Sequence, residues 1–332
     1  MGYPRNRYFK EGQEGVFHCV SRCVRRAFLC GYDAVTRRDY SHRKKLLIDR
    51  LRFLSTIFAI EVCNYAVMEN HYHLIVRICL DICSAWSDRE VAIRWLTLFP
   101  RRKGRDDGAM APREEDINAI ILCPELVEKL RKRLCSLSWF MGRLNEYLAR
   151  IANKEDEVKG RFWEGRFKCQ ELLDESAIAS CMIYVDLNPI RAGVAATPEE
   201  SNFTGIQERI LSWQRETSDS AFWLCPIASG AKRRGILQMT EAQYFDLVDR
   251  SGRLVYPGKP GVIDAGLAPI LQRIGVDPEA WINTISEFGT KFHVAAGTLA
   301  NMRRFAARIG RRWIKGLSAA RAAFAPCMSN ST

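Results

Sequence analysis

The chain has 332 residues, a length that excludes a stapled mini-protein, and 47% of them are hydrophobic, 10% aromatic and 27% charged, a composition that supports a real core, so that disorder is not the default. Fifty Lys and Arg against 38 Asp and Glu give a formal net charge of +12, which favours a polyanionic partner such as nucleic acid or an anionic membrane surface. No apolar run approaches the ~18–20 residues that span a bilayer, and Met1 to Asn6 carries neither the apolar stretch of a secretory leader nor a myristoylation signal. A cytoplasmic protein is therefore expected. The 12 cysteines, spread from Cys19 to Cys327, then read as reduced thiols. Cys19 with Cys23, and Cys79 with Cys83, lack the two-residue spacing of a zinc knuckle.

Residues 14–24 read as a first strand, followed by a loop with Gly31. Over 39–57, Leu47, Leu51 and Leu54 fall at helical spacing with Arg and Lys between them, which predicts a basic amphipathic helix. Phe58 to Met68 and His71 to Cys79 predict two strands joined at the short Glu69-Asn70 turn. Strand, helix and hairpin in that order open an α+β domain with an antiparallel sheet. Residues 84–124 read as an insert with a polar loop from Arg101 to Gly108, and Pro124 starts one long helix running through Leu130, Leu134, Met141, Leu144 and Leu148. Gly160 to Leu173 looks extended, and Asp174 caps a helix that must stop near Pro189 and Gly193. Past residue 200 the chain becomes richer in Thr, Ser, Gly and Pro, as in Tyr256 to Gly261, and it ends in Ala-, Arg- and Trp-rich segments at helical spacing. The division expected is a first domain over 1–200, a linker over 201–231 and a mainly α-helical extension over 232–332.

Two of only five histidines flank one residue in His71-Tyr72-His73. In a strand, residues i and i+2 share a face, so both imidazoles point the same way and offer a two-ligand platform for a metal. A second candidate pair is Tyr184 and Asn188, which stand four apart in a predicted helix and hence on one face, about 6 Å apart along the axis. Tyr can supply a nucleophilic hydroxyl and Asn a carbonyl oxygen for a hard cation. The plainer alternatives are that Tyr184 packs by its ring and that Asn188 merely caps the helix before Pro189. Tyr147 is the rival nucleophile, although its spacing with Met141, Leu144 and Ile151 argues for packing.

Taken together, Asn70-His71-Tyr72-His73-Leu74 and Tyr184-Val185-Asp186-Leu187-Asn188-Pro189-Ile190-Arg191-Ala192-Gly193 resemble the single-tyrosine HUH transposases of the insertion-sequence type, in their REP-associated tyrosine transposase branch. Phe17-His18-Cys19-Val20-Ser21-Arg22 and Gly165-Arg166-Phe167-Lys168 fit the same branch in order and spacing, so that the likeness covers about residues 8–196. The resemblance implies a ferredoxin-like α+β HUH domain with an antiparallel sheet and flanking helices. It also implies that His71, His73 and Asn188 ligate a divalent metal, Mg²⁺ or Mn²⁺, and that Tyr184 attacks single-stranded or hairpin DNA to form a 5′-phosphotyrosine link. A nucleoid-associated protein follows, as a monomer or a homodimer.

Candidate DNA contacts are Arg22, Arg161, Arg166, Lys168 and Arg191. Three of these lie in Gly160 to Lys168, where basic and aromatic residues alternate in a pattern suited to gripping phosphates and stacking bases. An ordinary strand with a basic outer face would give the same pattern. His18 reads as a satisfied core histidine. Arg303 to Lys315 is strongly basic at helical spacing, which suits either a phosphate grip or a solvated face. Two other readings stay open: a hairpin-DNA-binding protein that no longer cleaves, and an HUH nuclease of the replication or mobilisation type.

Overall fold

The computed structural model describes residues 12–24, 30–33, 37–102, 111–195, 197–214, 222–230, 233–255, 288 and 291–323. Most of the expected polar loop ending at Gly108, the Tyr256 to Gly261 segment and Cys327 lie outside the described residues.

In chain order the elements are β1 (Gly15–Arg22), β2 (Tyr32–Asp33), β3 (Arg38–Asp39), α1 (His42–Ile57), β4 (Ile60–Val67) and β5 (His71–Ile78). There follow α2 (Leu80–Ala85), α3 (Asp88–Leu98), α4 (Glu114–Ile121), α5 (Pro124–Leu134), α6 (Leu137–Glu155), β6 (Lys168–Leu172) and α7 (Glu175–Asp186). After these come α8 (Asn188–Arg191), α9 (Gly205–Gln214), α10 (Glu241–Val255), β7 (Ala295–Ala296), α11 (Leu299–Arg308) and α12 (Leu317–Ala323). The long helix expected from Pro124 is two helices. Ser136 takes an extended conformation and accepts the Trp139 amide at 3.2 Å, so an N-cap ends one helix and begins the next.

The fold is α+β. The main sheet has the order β4-β5-β1-β6-β7, antiparallel throughout except that β7 joins β6 in parallel. Its first four strands, in chain order β1, β4, β5, β6, thus stand second-third-first-fourth, the ferredoxin-like arrangement, with α1 and α6 on one face. On that face Leu47, Leu51 and Leu54 of α1 and Phe140, Leu144 and Leu148 of α6 pack on Phe17, Tyr72, Leu74 and Val76 of the strands. The segment expected as an insert supplies Val91, Leu96, Ile117 and Ile120 to the same core. In α3 the Ser87 and Glu90 side chains cap each other's backbone amides, which fixes where that helix starts.

The opposite face is covered by α7, whose sequence is apolar all round, as befits a fully buried helix. Ten of its 12 residues are buried, the exceptions being Glu175 at its start and Tyr184. Beneath it lie Val16, Ile75 and Leu172 of the sheet, and around it lie Leu237, Tyr244, Leu247, Phe288, Phe292, Val294, Met302, Phe305 and Ile314 from the later part of the chain. Asp174 ties these layers: its Oδ1 caps α7 by accepting the Ala177 amide at 3.0 Å, and its Oδ2 accepts the Thr298 amide at 2.6 Å and the Asn301 amide group at 2.9 Å. The stretch read as a linker carries α9, whose fully buried Arg209 donates to the Cys63 and Cys225 carbonyls at 2.7 and 2.8 Å.

Gly205, at the start of α9, meets β4 so closely that an added Cβ would sit 1.9 Å from Asn64 Oδ1. Asn64 cannot swing aside at no cost, because its Nδ2 donates to the Met182 carbonyl of α7 at 3.1 Å and its Oδ1 accepts the Tyr65 amide at 3.0 Å. Gly205→Ala should therefore destabilise the fold by about 1–3 kcal/mol, as overpacking does. Urea denaturation would measure it, and a loss below a few tenths would show that the contact yields freely.

Candidate active site

The alternation of β5 decides what the site contains. Tyr72, Leu74, Val76 and Ile78 enter the α1/α6 core, which turns His71, His73 and Ile75 toward α7. Antiparallel pairing sets Arg22 opposite His71, Val20 opposite His73, and His18 opposite Ile75 on one side and Gln170 of β6 on the other. His18 is thus diagonal to His73 on the same face, close enough for the rings to interact.

They form a chain. His18 Nε2 lies 2.9 Å from His73 Nδ1, with the rings stacked 5.2 Å apart at 10°. His73 Nε2 lies 3.1 Å from His71 Nε2, and His71 Nδ1 lies 2.6 Å from Asn70 Oδ1. At the other end Gln170 hydrogen-bonds the His18 ring, and its Nε2 has no partner, so its carbonyl oxygen makes that bond. Burial holds all three imidazoles neutral. It lowers His18 to about 4, lowers His71 to about 4 with help from the Arg22 charge, and lowers His73 well below its ordinary value, with the neighbouring His18, His71 and Arg22 adding to the effect.

Tyr184 of α7 closes over this row. Its ring stands edge-on to His73 at 5.6 Å and to His18 at 6.2 Å, with Phe288 tilted against it at 5.7 Å. The Arg191 guanidinium lies 5.3 Å from the ring centre. Burial raises the Tyr184 hydroxyl above its ordinary pKa, while the Asn188 amide and the Arg191 charge pull it down. Asn188 Nδ2 donates to the Tyr184 carbonyl at 2.9 Å, the capping role foreseen as the plainer alternative, and its own carbonyl oxygen is the atom it could offer a cation.

The donor set fits a divalent metal. With carbonyl oxygens closing both ends of the chain, three neutral imidazoles supply three N–H groups for four gaps, so one gap lacks a proton. When His71 donates to Asn70, and His73 and His18 donate toward Gln170, two lone pairs meet between His71 Nε2 and His73 Nε2. Two nitrogens bound at right angles to one cation at about 2.1 Å lie about 3 Å apart, which matches that 3.1 Å gap. Among the described residues no group of three or more His, Cys, Asp or Glu is arranged around an ion, so a third protein ligand would have to be an amide such as Asn188.

Of the other sequence candidates, Arg22 and Lys168 are exposed on strands of this face, Arg22 directly across from His71 and Lys168 across from Val20. Arg161 and Arg166 are exposed on the segment that runs along the end of β1, where Val24 donates to the Phe162 carbonyl and Glu164 to the Arg22 carbonyl, each at 2.9 Å. The aromatic residues of that segment are spent on packing. Phe162 and Phe167 are buried, and Trp163 stands edge-on to Tyr72 while donating Nε1–H to the Asn145 carbonyl at 2.9 Å. Tyr147 packs with the α1/α6 core, on the far side of the sheet, beside Arg50 at 4.9 Å. His18 is the satisfied core histidine expected, and it also steadies His73. Gln170 went unnoticed in the sequence, where the alternation Lys168, Gln170, Leu172 was its only signal.

Fold and site together define an α+β protein with a buried imidazole row beneath a tyrosine-bearing helix. No family model matches the chain, and no curated protein does. A solved structure of a REP-associated tyrosine transposase bound to a REP hairpin is similar over 72% of this chain and 100% of its own, at 12% sequence identity and a TM-score of 0.36. So slight a likeness says nothing of this chain's activity.

An unfolded chain protonates these rings near 6.5, so the folded state binds fewer protons between that pH and about 4. Stability should fall as the pH drops through this window, by up to about 1.4 kcal/mol per unit for each such group. In histidine-selective NMR titrations, His18 and His71 should keep neutral-ring signals until the pH nears about 4. A midpoint near 6.5 for either would contradict the buried row.

Proposed function

We propose that this protein is a metal-dependent DNA transesterase of the single-tyrosine HUH transposase kind, which cleaves and rejoins single-stranded or hairpin DNA. One observation carries the reading: in the body of a helix that is otherwise buried, the sole residue left half-open is a tyrosine, and its ring lies against His73, whose Nε2 faces the Nε2 of His71 at 3.1 Å. A core histidine pair has no need of that convergence, and a packing tyrosine has no need of the opening.

In the reaction, the Tyr184 oxygen forms a bond to the phosphorus of a phosphodiester as the bond to the 3′-oxygen breaks. The phenol proton ends on the leaving 3′-oxygen, which becomes a hydroxyl, and the 5′-phosphate stays on the tyrosine. A second 3′-hydroxyl reverses the step, and because the link conserves the bond energy no nucleotide triphosphate is required. Ionising a free tyrosine at pH 7 costs about 4 kcal/mol, and burial of Tyr184 raises that cost. Proton loss is therefore tied to attack rather than completed before it. The Arg191 charge over the ring and the Asn188 amide offset part of the charge developing on the oxygen. A Mg²⁺ or Mn²⁺ held by His71, His73 and Asn188 would polarise the phosphate. Arg22, exposed across from His71, would meet a phosphate next to the one attacked.

The test is covalent capture. Incubated with a labelled hairpin oligonucleotide and Mn²⁺, the protein should form an adduct that survives denaturing electrophoresis, and chelation with EDTA should suppress it. Tyr184→Phe should reduce the adduct to background while still binding the hairpin. As much adduct from the variant as from the parent would remove Tyr184 from the role, and tight hairpin binding with no adduct under any metal would leave a binding protein.

A further inference from the structure

The later part of the chain presents an aromatic residue in a setting its packing does not explain. Trp313 is 61% exposed, and Arg311, Arg312 and Lys315 around it are exposed as well. The segment is held firmly at both ends. Gly310, at φ +68°, closes α11, its amide donating to the Ala307 carbonyl at 3.0 Å while the Arg311 amide donates to the Ala306 carbonyl at 2.8 Å. On the other side Ile314 is fully buried, and Gly316 abuts Phe292 and Met302. A tryptophan fixed between two anchors pays little ordering entropy on binding. Among the described residues the other exposed tryptophan, Trp213, packs edge-on against Phe245 at 5.9 Å.

This segment adjoins the site side of the sheet. His73, Val20 and Lys168 stand in one cross-strand row, which sets Lys168 about 10 Å from His73 at the usual strand spacing. Beyond β6 comes His293, next to Val294, whose carbonyl accepts the Glu171 amide; burial and the nearby charges of Lys315 and Lys168 depress its pKa, and Gly316, beside Lys315, abuts Phe292. Cations thus run from Arg22 beside His71, through Lys168, to Lys315 and the Trp313 segment.

We propose that Trp313 stacks an unpaired base of the DNA strand that leaves the active site, with Arg312 and Lys315 meeting its phosphates. The inference rests on the DNA-processing reading above and adds a subsite to it. Base stacking on an aromatic side chain is worth about 1–3 kcal/mol per base and tolerates any sequence. The subsite therefore measures the presence of a single-stranded tail and does not read its bases.

The experiment compares a blunt hairpin with the same hairpin carrying a single-stranded tail on either side, by fluorescence anisotropy with the full chain at fixed salt. Trp313→Ala should weaken binding of a tailed hairpin about tenfold or more while leaving the blunt hairpin unchanged, and Trp313→Phe should restore most of the loss. Thermal melting should be unaltered, since the side chain is exposed. Equal affinity of parent and Trp313→Ala for every tailed hairpin would overturn the subsite and leave the proposed activity standing, as would equal losses on blunt and tailed hairpins. A parent that binds none of these oligonucleotides would overturn both.

Discussion

The structure depends on the burial of α7 between the sheet and the later part of the chain. A helix apolar on every side has no stable place on a two-layer ferredoxin-like unit, where one of its faces would remain in water. Residues from 225 onward supply the missing layer, and β7 extends the sheet beneath it. The polar links across this layer are few but each is satisfied. Asp174 holds the start of the helix to Thr298 and Asn301, Asn64 bonds the Met182 carbonyl in its middle, and near its end Asp186 accepts from Ile206 N–H and the Tyr244 hydroxyl. Once these are in place Tyr184 can occupy only one position, over His18 and His73.

The same burial sets the electrostatics of the site. Three imidazoles withdrawn from water remain neutral, so the centre of the site carries lone pairs rather than charge. The cations stand outside it, with Arg22 and Lys168 exposed and Arg191 over the tyrosine ring. Such an arrangement suits an anionic strand bound along the rim and a cation drawn to the centre. Reversing the two, with charged histidines inside, would repel a metal and would cost the fold stability.

Much of the first half was legible in the sequence because its signals are local. Leu47, Leu51 and Leu54 repeat at the period of a helix, the Glu69-Asn70 turn separates two β-rich runs, and Asp174 stands where a cap should. The long helix from Pro124 failed at Ser136, where a hydroxyl that bonds the Trp139 amide outweighed a continuous apolar pattern. The aromatic residues of Gly160 to Lys168 looked available for bases, yet Phe162, Trp163 and Phe167 pack inward. Composition alone cannot tell a stacking platform from a packed edge, since both need the same side chains and differ only in what lies behind them.

The sequence by itself determined that His71 and His73 share a face, because strand geometry permits nothing else, and that Tyr184 and Asn188 share another, because a helix turns every 3.6 residues. Only the tertiary structure decided that these two faces meet. Their meeting depends on pairings between residues far apart in the chain: β1 with β5 and β6, and α7 with the segments from 225 onward. It also decided the parts played by His18 and Gln170, which reach His73 through the register of neighbouring strands. Register between distant strands is set by the fit of whole faces, and no local period records it.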